Sequence, residues 1–586
     1  MQWGMAIMAG GNIVLGIAPQ LAVNYVFNPI LSALSLGEGI RVTWFGLFAD
    51  AGSFSTTGGL VLALVALVMG GSIYAFARTA RLASTSATIT MGSTLIVAGG
   101  GIGDGIFTGG EPLSDQGRLT AGDFSEIFRQ NWRSFFRWSN VDFVFLEIWV
   151  GLQAVSRGLG VAVSWLERRA LTVVIVMTAA VFLYIRWAAP GIQPAGSRIP
   201  LMPEPTAPLF LVIACALAAI ALILAALSNA VEPKLTLVMV IVSVFTVTGL
   251  LASHQWLRLG LLELGSLLTV LLVWKTARSR GAKWTYLVVV LLSAGSMVAS
   301  EFINDPQDQA WLRAFILTSI VIKLAAAPMF MWLLSLADEL PVLVLGFIIA
   351  VVDMAAFGEF YIGLVSNPSA FQPAGFLISA AALSSLLAAL LMLTQRSLKR
   401  LLVLSTVEDV GFLLLGVGSA TSIGIRGALI AASTHAIAKA LLFVCLIRPE
   451  ADGALERGKN GLATRYPVSA FGFLFGMLAM LGVPPTLGYI GRWRLYETAF
   501  QISPVLLATF ILSSGLALIA YVLALTRVWW GPSSETEEEL SAASLPVVNT
   551  NEPRLIQATI VALVALLLIA GLWPNGFQIL GGGGVR

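Results

Sequence analysis

Blocks of about 20 consecutive apolar residues, separated by short polar breaks, recur along this chain, and each makes a helix long enough to cross a hydrocarbon layer roughly 30 Å thick. The pattern predicts an all-α polytopic membrane protein. Its spans fall near 5–27, 57–77, 171–189, 207–227, 235–253, 256–275, 284–301, 312–335, 340–364, 373–394, 400–420, 425–447, 467–490, 503–530 and 556–574, about 15 in all. The stretch 85–103 is too rich in Gly, Ser and Thr to be counted as a sixteenth. A transmembrane β-barrel would instead alternate apolar and polar residues in short segments.

The polar breaks test this count, because Lys and Arg concentrate on the cytoplasmic side of a bilayer. Loop 275–284 carries Lys275, Arg278, Arg280 and Lys283; loop 395–400 carries Arg396, Lys399 and Arg400; loop 448–466 carries Arg448, Arg457, Lys459 and Arg465. With this set of spans all three fall on one face, expected to be cytoplasmic. The intervening loops 302–311 and 365–372 contain no Lys or Arg, and the first holds Asp305 and Asp308. The same alternation places 78–170, with nine Arg and eight acids, on the cytoplasmic side. From Thr120 to Arg169 that region mixes Phe124, Phe128, Trp132, Phe135, Phe136 and Trp138 with charge. The mixture suits an amphipathic helix lying in the membrane surface or against neighbouring subunits, or equally a solvated linker with aromatic anchors.

Composition agrees with the pattern: of 586 residues 58% are hydrophobic and only 11% charged, against roughly 25% charged in an ordinary soluble domain. A water-soluble enzyme of this size is excluded. The 34 basic and 31 acidic residues leave a net charge of +3, too balanced to point to nucleic acid. Cys215 and Cys445 stand alone in apolar runs and His254 and His435 are the only histidines, so no spacing resembles an iron–sulfur, zinc or haem site. The glycine string from Gly99 to Gly105 contains GxGxG without an expected strand before it, and reads as a loop or helix end rather than a dinucleotide site. The acidic run Glu535 to Glu539 reads as a solvated loop between the last two spans.

The informative residues are ionisable groups inside the apolar spans, each costing roughly 2.5 to 3.5 kcal/mol at mid-membrane and marking an ion route or a buried pair. Glu263 stands in Leu261-Leu262-Glu263-Leu264 and Lys323 in Ile320-Val321-Ile322-Lys323-Leu324, followed by three Ala and Pro328. Pro328 donates no hydrogen bond and obstructs the preceding turn, so the helix is expected to break beside Lys323; Pro484-Pro485 should do the same to the span ending near Arg492. Two broken helices, each with a cation near the break, suit a transporter better than a scaffold. His435 and Lys439, four apart, share one helix face. Asp353 and the pair Glu408-Asp409 complete a row of titratable groups suited to proton relay; the plainer readings are a static ion pair for Glu263 with Lys323 and likewise for His435 with Lys439, and for the other carboxylates a place near a span's end from which they reach the interface. Arg492 gates or repels but does not shuttle, since its guanidinium keeps its proton.

At these residues the sequence resembles the antiporter-like membrane subunits of respiratory complex I, group 4 membrane-bound hydrogenases and multisubunit cation/proton antiporters. Ala252-Ser253-His254 running to Leu262-Glu263-Leu264 resembles the family segment with its key glutamate. Lys323-Leu324 through Pro328 to Trp332 and Pro341 resembles the broken-helix motif with the key lysine. Lys399-Arg400-Leu401-Leu402 followed by Ser405 to Gly411 resembles the KRLLAYSS-type motif, its Val-Glu-Asp-Val-Gly ending looking most like the hydrogenase-4-type members. His435 to Lys439 with Ala440 to Phe443 resembles HAxxKAxLF, and Gly482-Val483-Pro484-Pro485 to Gly491 resembles GxPxxxGFxGK. The five motifs occur in family order over about 205–530.

The resemblance implies two five-helix bundles related by an inverted repeat, each with a broken helix, joined by a hydrophilic axis. It implies that Glu263 and Lys323 couple one half-channel, and that His435 and Lys439 belong to the centre and second half. Asp353 stands where many members have a lysine, and Arg492 where they have lysine or glutamate near the exit, which leaves room for an inactive channel. Residues 1–190 resemble the tail of another antiporter-like subunit, 205–530 the translocation module, and 531–586 an acidic loop with a final span. The implied function is proton or sodium translocation in a multisubunit membrane-bound oxidoreductase of a prokaryotic cytoplasmic membrane. Its partners are other membrane and peripheral subunits, and any iron–sulfur, nickel–iron or flavin centre belongs to them, with no cofactor in this chain. The rivals are a non-redox cation/proton antiporter or inorganic-carbon uptake subunit, and a structural anchor with an inactive channel.

Overall fold

In the described part of the chain, most residues sit on helices whose apolar faces meet one another. The structure is a computed structural model and describes residues 41–43, 46–49, 52–54, 89–91, 94–96, 142–188, 207–230, 232–303, 308–366, 375–455, 461–531 and 552–572. The expected spans 5–27 and 57–77, the acidic run 535–539 and most of 78–170 lie outside these residues. The chain divides near residue 150 into two units.

In the first unit β1 (Arg41–Thr43), β2 (Gly46–Ala49) and β3 (Gly52–Phe54) form an antiparallel sheet, with Val42 opposite Leu47 and Phe48 opposite Ser53. A second pair joins β4 (Ile89–Met91) to β5 (Thr94–Ile96), Thr90 opposite Leu95. These short strands are an exception to the all-α expectation, and β-branched residues such as Val42, Ile89 and Ile96 suit them. They include a strand shortly before Gly99, where none was expected.

The second unit is helical. After α1 (Asp142–Glu167) and α2 (Ala170–Ala188) comes α3 (Ala207–Ala225), extended by a π-helical turn at Ala226–Ala230. Two sets of five then follow. The first comprises α4 (Pro233–Leu251), α5 (Gln255–Thr276), α6 (Arg280–Glu301), a broken helix made of α7 (Gln309–Lys323) and α8 (Met331–Ala337), and α9 (Val342–Phe347) running through a π turn at Ile348–Val352 into α10 (Asp353–Ser366). The second comprises α11 (Gly375–Met392), α12 (Leu398–Gly418), α13 (Ser422–Ala451), the short α14 (Leu462–Arg465) leading into a second broken helix of α15 (Pro467–Met480) and α16 (Leu487–Ile502), and α17 (Pro504–Ala524), which ends in a π turn at Leu525–Trp529. The last helix is α18 (Arg554–Leu572). Five crossings is an odd number, so the second set runs through the bilayer in the opposite sense to the first; this is the inverted repeat.

Eleven described helices are long and apolar enough to cross a membrane, and α2 and α15 are shorter apolar helices. The expected spans from 171 onward coincide with these helices, except that the second broken span continues through α16 to Ile502. α1, which falls in the stretch read either as a surface or subunit-facing helix or as a solvated linker, is from Leu146 onward one of the eleven. Buried helices at the centre include α9–α10, α12 and α13, while α4, α6 and α17 turn Leu237, Leu291 and Ile511 outward as lipid-facing helices do. Close approach at the centre needs glycine: a Cβ on Gly411 of α12 would stand 2.6 Å from the Ala381 carbonyl oxygen of α11.

Both breaks are built alike. In the first, Ala325 adopts φ 51° and Pro328 follows; in the second, Gly482 adopts φ 69° ahead of Pro484 and Pro485. A left-handed residue turns the chain out of the helix, and the prolines cannot resume the bonding ladder. The freed backbone groups find partners in the protein: the Trp332 indole donates to the Ile322 carbonyl at 3.0 Å, and the Ala327 N–H donates to Ser384 Oγ of α11 at 2.8 Å. Such satisfaction is what irregular backbone at membrane depth requires.

Candidate functional site

The first break ends α7 at Lys323, so this side chain leaves the helix where its own turn no longer continues. Its ammonium donates to Glu263 Oε1 of α5 and, at 3.3 Å, to Glu359 Oε2 of α10. Both carboxylates are buried, Glu263 at 6% exposure. Arg258, nearer the start of α5, lies within electrostatic reach of Glu359. A cavity of about 20 Å³ next to Lys323 is lined by Ser266, Tyr286, Ser293, Trp332 and Asp353. A smaller one of about 10 Å³ lies between Lys323, Glu359, Thr246 and Ser266. The larger exceeds the roughly 10–15 Å³ that one water needs, and its walls are polar enough to hold one. Asp353, at the start of α10, is 4% exposed, and its Oδ2 has no hydrogen-bond partner among the described residues. The cavity therefore joins Lys323 to Asp353 by a gap of water size.

The second cluster is centred on α12. Glu408 and Asp409 occupy its buried middle, and Arg492 of α16 grips both: two bonds to Glu408 at 3.0 and 2.9 Å and one to Asp409 at 2.9 Å. The same guanidinium donates to Ser514 Oγ at 3.1 Å and lies over the Phe412 ring at 3.7 Å. A planar fork is suited to this geometry in a way an ammonium is not. Asp409 Oδ2 also meets His435 Nδ1 of α13 at 2.7 Å, while His435 Nε2 has no partner among the described residues. One turn along α13, the fully buried Lys439 donates to the Leu402 carbonyl at 2.7 Å and to Ser405 Oγ. No carboxylate approaches it within ion-pairing distance among the described residues.

The expected residues thus assemble into two groups. Glu263 and Lys323 touch, with Asp353 across the cavity; Glu408, Asp409, His435 and Arg492 form one bonded cluster, with Lys439 beside it on neutral partners. Arg492, expected near an exit, is 2% exposed and bound to both carboxylates through its two terminal nitrogens, while its Nε has no partner among the described residues. Pro328, Pro484 and Pro485 lie at the two breaks, as expected. Sequence reading missed Glu359, although an acid inside the apolar run Met354 to Ile362 carries the same signal that pointed to Glu263. It also missed Ser405 and Ser514, whose hydroxyls are common in spans and give no signal. Among the described residues, no group of three or more His, Cys, Asp or Glu is placed to hold a metal.

Comparison with known proteins agrees with this architecture. Residues 281–517 match the family described as NADH:quinone oxidoreductase/Mrp antiporter, TM. The chain is 30% identical over 272 residues to NADH-quinone oxidoreductase subunit N 2 of Acidobacterium capsulatum, covering 43% of this chain and 53% of that protein. It is 27% identical over 327 residues to the hydrogenase-4 component F homolog of Methylacidiphilum infernorum, covering 49% of this chain and 67% of the relative. The chain thus spans about half the length of the first of these relatives. Its fold is shared with a chain of respiratory complex I from Thermus thermophilus with bound NADH, at TM-score 0.55 and 21% identity over 73% of this chain and 96% of that one. With its repeated five-helix sets and two broken helices, the chain is similar, through residues 281–517, to the NADH:quinone oxidoreductase/Mrp antiporter transmembrane family.

Proposed function

We propose that this chain is the proton-translocating membrane subunit of a multisubunit membrane-bound oxidoreductase of the hydrogenase or complex I-like kind. Residues 205–530 are its translocation module, 1–190 a segment like the tail of a second antiporter-like subunit, and 531–586 a loop with a final span. The observation that carries the reading is the Lys323 ammonium held between Glu263 and Glu359 at a helix break, one water-sized cavity from Asp353. An ammonium can release its proton to such a neighbour, and a broken helix can shift to let it. Redox energy released in partner subunits, where iron–sulfur, nickel–iron or flavin centres reside, resets the charge of the Glu263–Lys323 pair. The disturbance then passes along Asp353, Lys439 and His435 to Glu408 and Asp409. The loops at 275–284, 395–400 and 448–466 face the cytoplasm of a prokaryotic cell.

Lys323→Ala in the reconstituted complex is expected to abolish proton pumping; unchanged pumping overturns the assignment. Metal and flavin analysis of the gently purified complex separates this reading from a non-redox antiporter, in which nickel and iron have no place. One observation favours a second reading: Arg492 occupies both Glu408 and Asp409, which suits a closed second half and a chain that anchors its partners. In that case neutralising Glu263 and Lys323 lowers assembly but leaves transport per assembled complex intact.

A further inference from the structure

A cleft of about 850 Å³ lies where the basic loops meet the end of α17, and it has no part in the relay above. Arg278, Arg396, Lys399 and Arg527 all line it. Its two acids are already matched, Asp338 to Arg400 at 2.7 Å and Glu450 to Lys399 at 3.0 Å. Arg396 and Arg527 are exposed, and their side chains have no hydrogen bond or ion pair among the described residues. Below these cations the wall turns apolar. On α17 it runs from Arg527 through Ala524 and Leu523 to Ala520, one face of the helix and about 10 Å of depth, and Leu398 and Leu401 of α12 continue it.

Exposed tryptophans set the level of this cleft in a bilayer. Trp274 and Trp284 flank the Arg278 loop at the end of α5 and the start of α6, and Trp530 follows Arg527 by three residues. Exposed indoles collect at the headgroup level of a membrane. The neighbouring face of α17 turns Leu518, Ile519 and Val522 outward as lipid-facing side chains do, so the cleft borders on acyl chains. A soluble anion or an acidic protein surface could pair with the arginines but would leave the apolar depth unfilled.

We propose that this cleft binds an anionic phospholipid of the leaflet on the basic-loop side. Its phosphodiester pairs with Arg396 and Arg527, whose planar guanidiniums suit two phosphate oxygens, and the first methylenes of its acyl chains lie along Leu523, Ala520 and Leu401. The occupied cleft adjoins the Lys399–Glu450 pair, and the second oxygen of that carboxylate accepts from the Val342 N–H at 2.7 Å at the start of α9. The lipid therefore borders a polar contact that joins the two five-helix sets. The inference goes beyond the proposed function and does not depend on it, since it needs only that the helices cross a bilayer.

The test uses the whole complex in phosphatidylcholine vesicles and two probes, phosphatidylglycerol and phosphatidylcholine, each carrying the same photoactivatable diazirine near the top of one acyl chain. Attachment sites are mapped by mass spectrometry. Phosphatidylglycerol is expected to label residues 520–528 in preference to phosphatidylcholine, while both label the outward Ile511, Leu512 and Ile519 alike. The preference is expected to fall about fivefold for each arginine removed in Arg396→Gln and Arg527→Gln, and to survive in Arg396→Lys with Arg527→Lys, which keep the charge. Unchanged labelling at Ile511, Leu512 and Ile519 reports that the variants keep their fold. Equal labelling of 520–528 by the two lipids, or a preference unaltered in the double glutamine variant, overturns the site. So does an unlabelled 520–528 beside normal labelling of Ile511, which would mean that protein fills the cleft. Normal pumping by Lys323→Ala would overturn the proposed function and leave this labelling as it was.

Discussion

Replacing Arg492 by glutamine leaves Glu408 and Asp409 buried, adjacent and without their cation, a change that costs roughly 3–5 kcal/mol when one side of a buried pair is removed. Arg492→Gln is therefore expected to lower the thermal unfolding midpoint of the detergent-solubilised protein sharply. Arg492→Lys keeps the charge but loses the bidentate fork, and should cost roughly 1–3 kcal/mol, the value of lost hydrogen bonds to charged groups. An unchanged midpoint in Arg492→Gln would mean that the three short contacts hold no weight. At this scale much of the site was legible in the sequence, because a charge inside an apolar run is conspicuous whatever the fold. What the sequence did not reveal was pairing. Glu263 and Lys323 are 60 residues apart and Glu408 and Arg492 are 84 apart, and only the packing of different helices brings each pair together.

The two breaks are where helix chemistry and site chemistry meet. A Cβ on Gly482 would stand 2.7 Å from Arg492 Cγ, and φ 69° disfavours any side chain there. Gly482→Ala is expected to cost about 1–3 kcal/mol in backbone strain and to displace Arg492 from its carboxylates, read as a lower unfolding midpoint. Ser384→Ala removes the acceptor of the Ala327 N–H at the first break, for a similar cost of about 1–3 kcal/mol. Its distinguishing readout is faster amide exchange at Ala327 with little change in the rest of α11. Pro328 and Pro484-Pro485 announced both breaks in the sequence, since proline acts on its own helix. The Ser384 hydroxyl that stabilises the first break comes from another helix and left no local trace.

Across the whole molecule, Arg400 at the start of α12 ties α1 to the bundle through Glu167, at 3.1 and 2.7 Å, and reaches Asp338 after α8 at 2.7 Å. These side chains are partly solvated, so Arg400→Gln is expected to change global stability by under about 1 kcal/mol. Backbone exchange in α1 should nevertheless rise, because Ser156, bonded to the Leu390 carbonyl at 2.6 Å and to Thr394 at 3.1 Å, is left as its main polar tether. Equal protection of α1 in both proteins would remove Arg400 from that role. The sequence by itself determined the helical class, most of the described spans, the broken helices and the grouping of basic loops, because each depends on transfer of local segments from water to hydrocarbon. The tertiary structure alone decided which carboxylate meets which cation, that Arg492 is buried against Glu408 and Asp409, and that Lys439 is bonded to the Leu402 carbonyl and Ser405. Those contacts arise from helices distant in the chain, and a hydrophobicity pattern carries no information about which faces of distant helices meet.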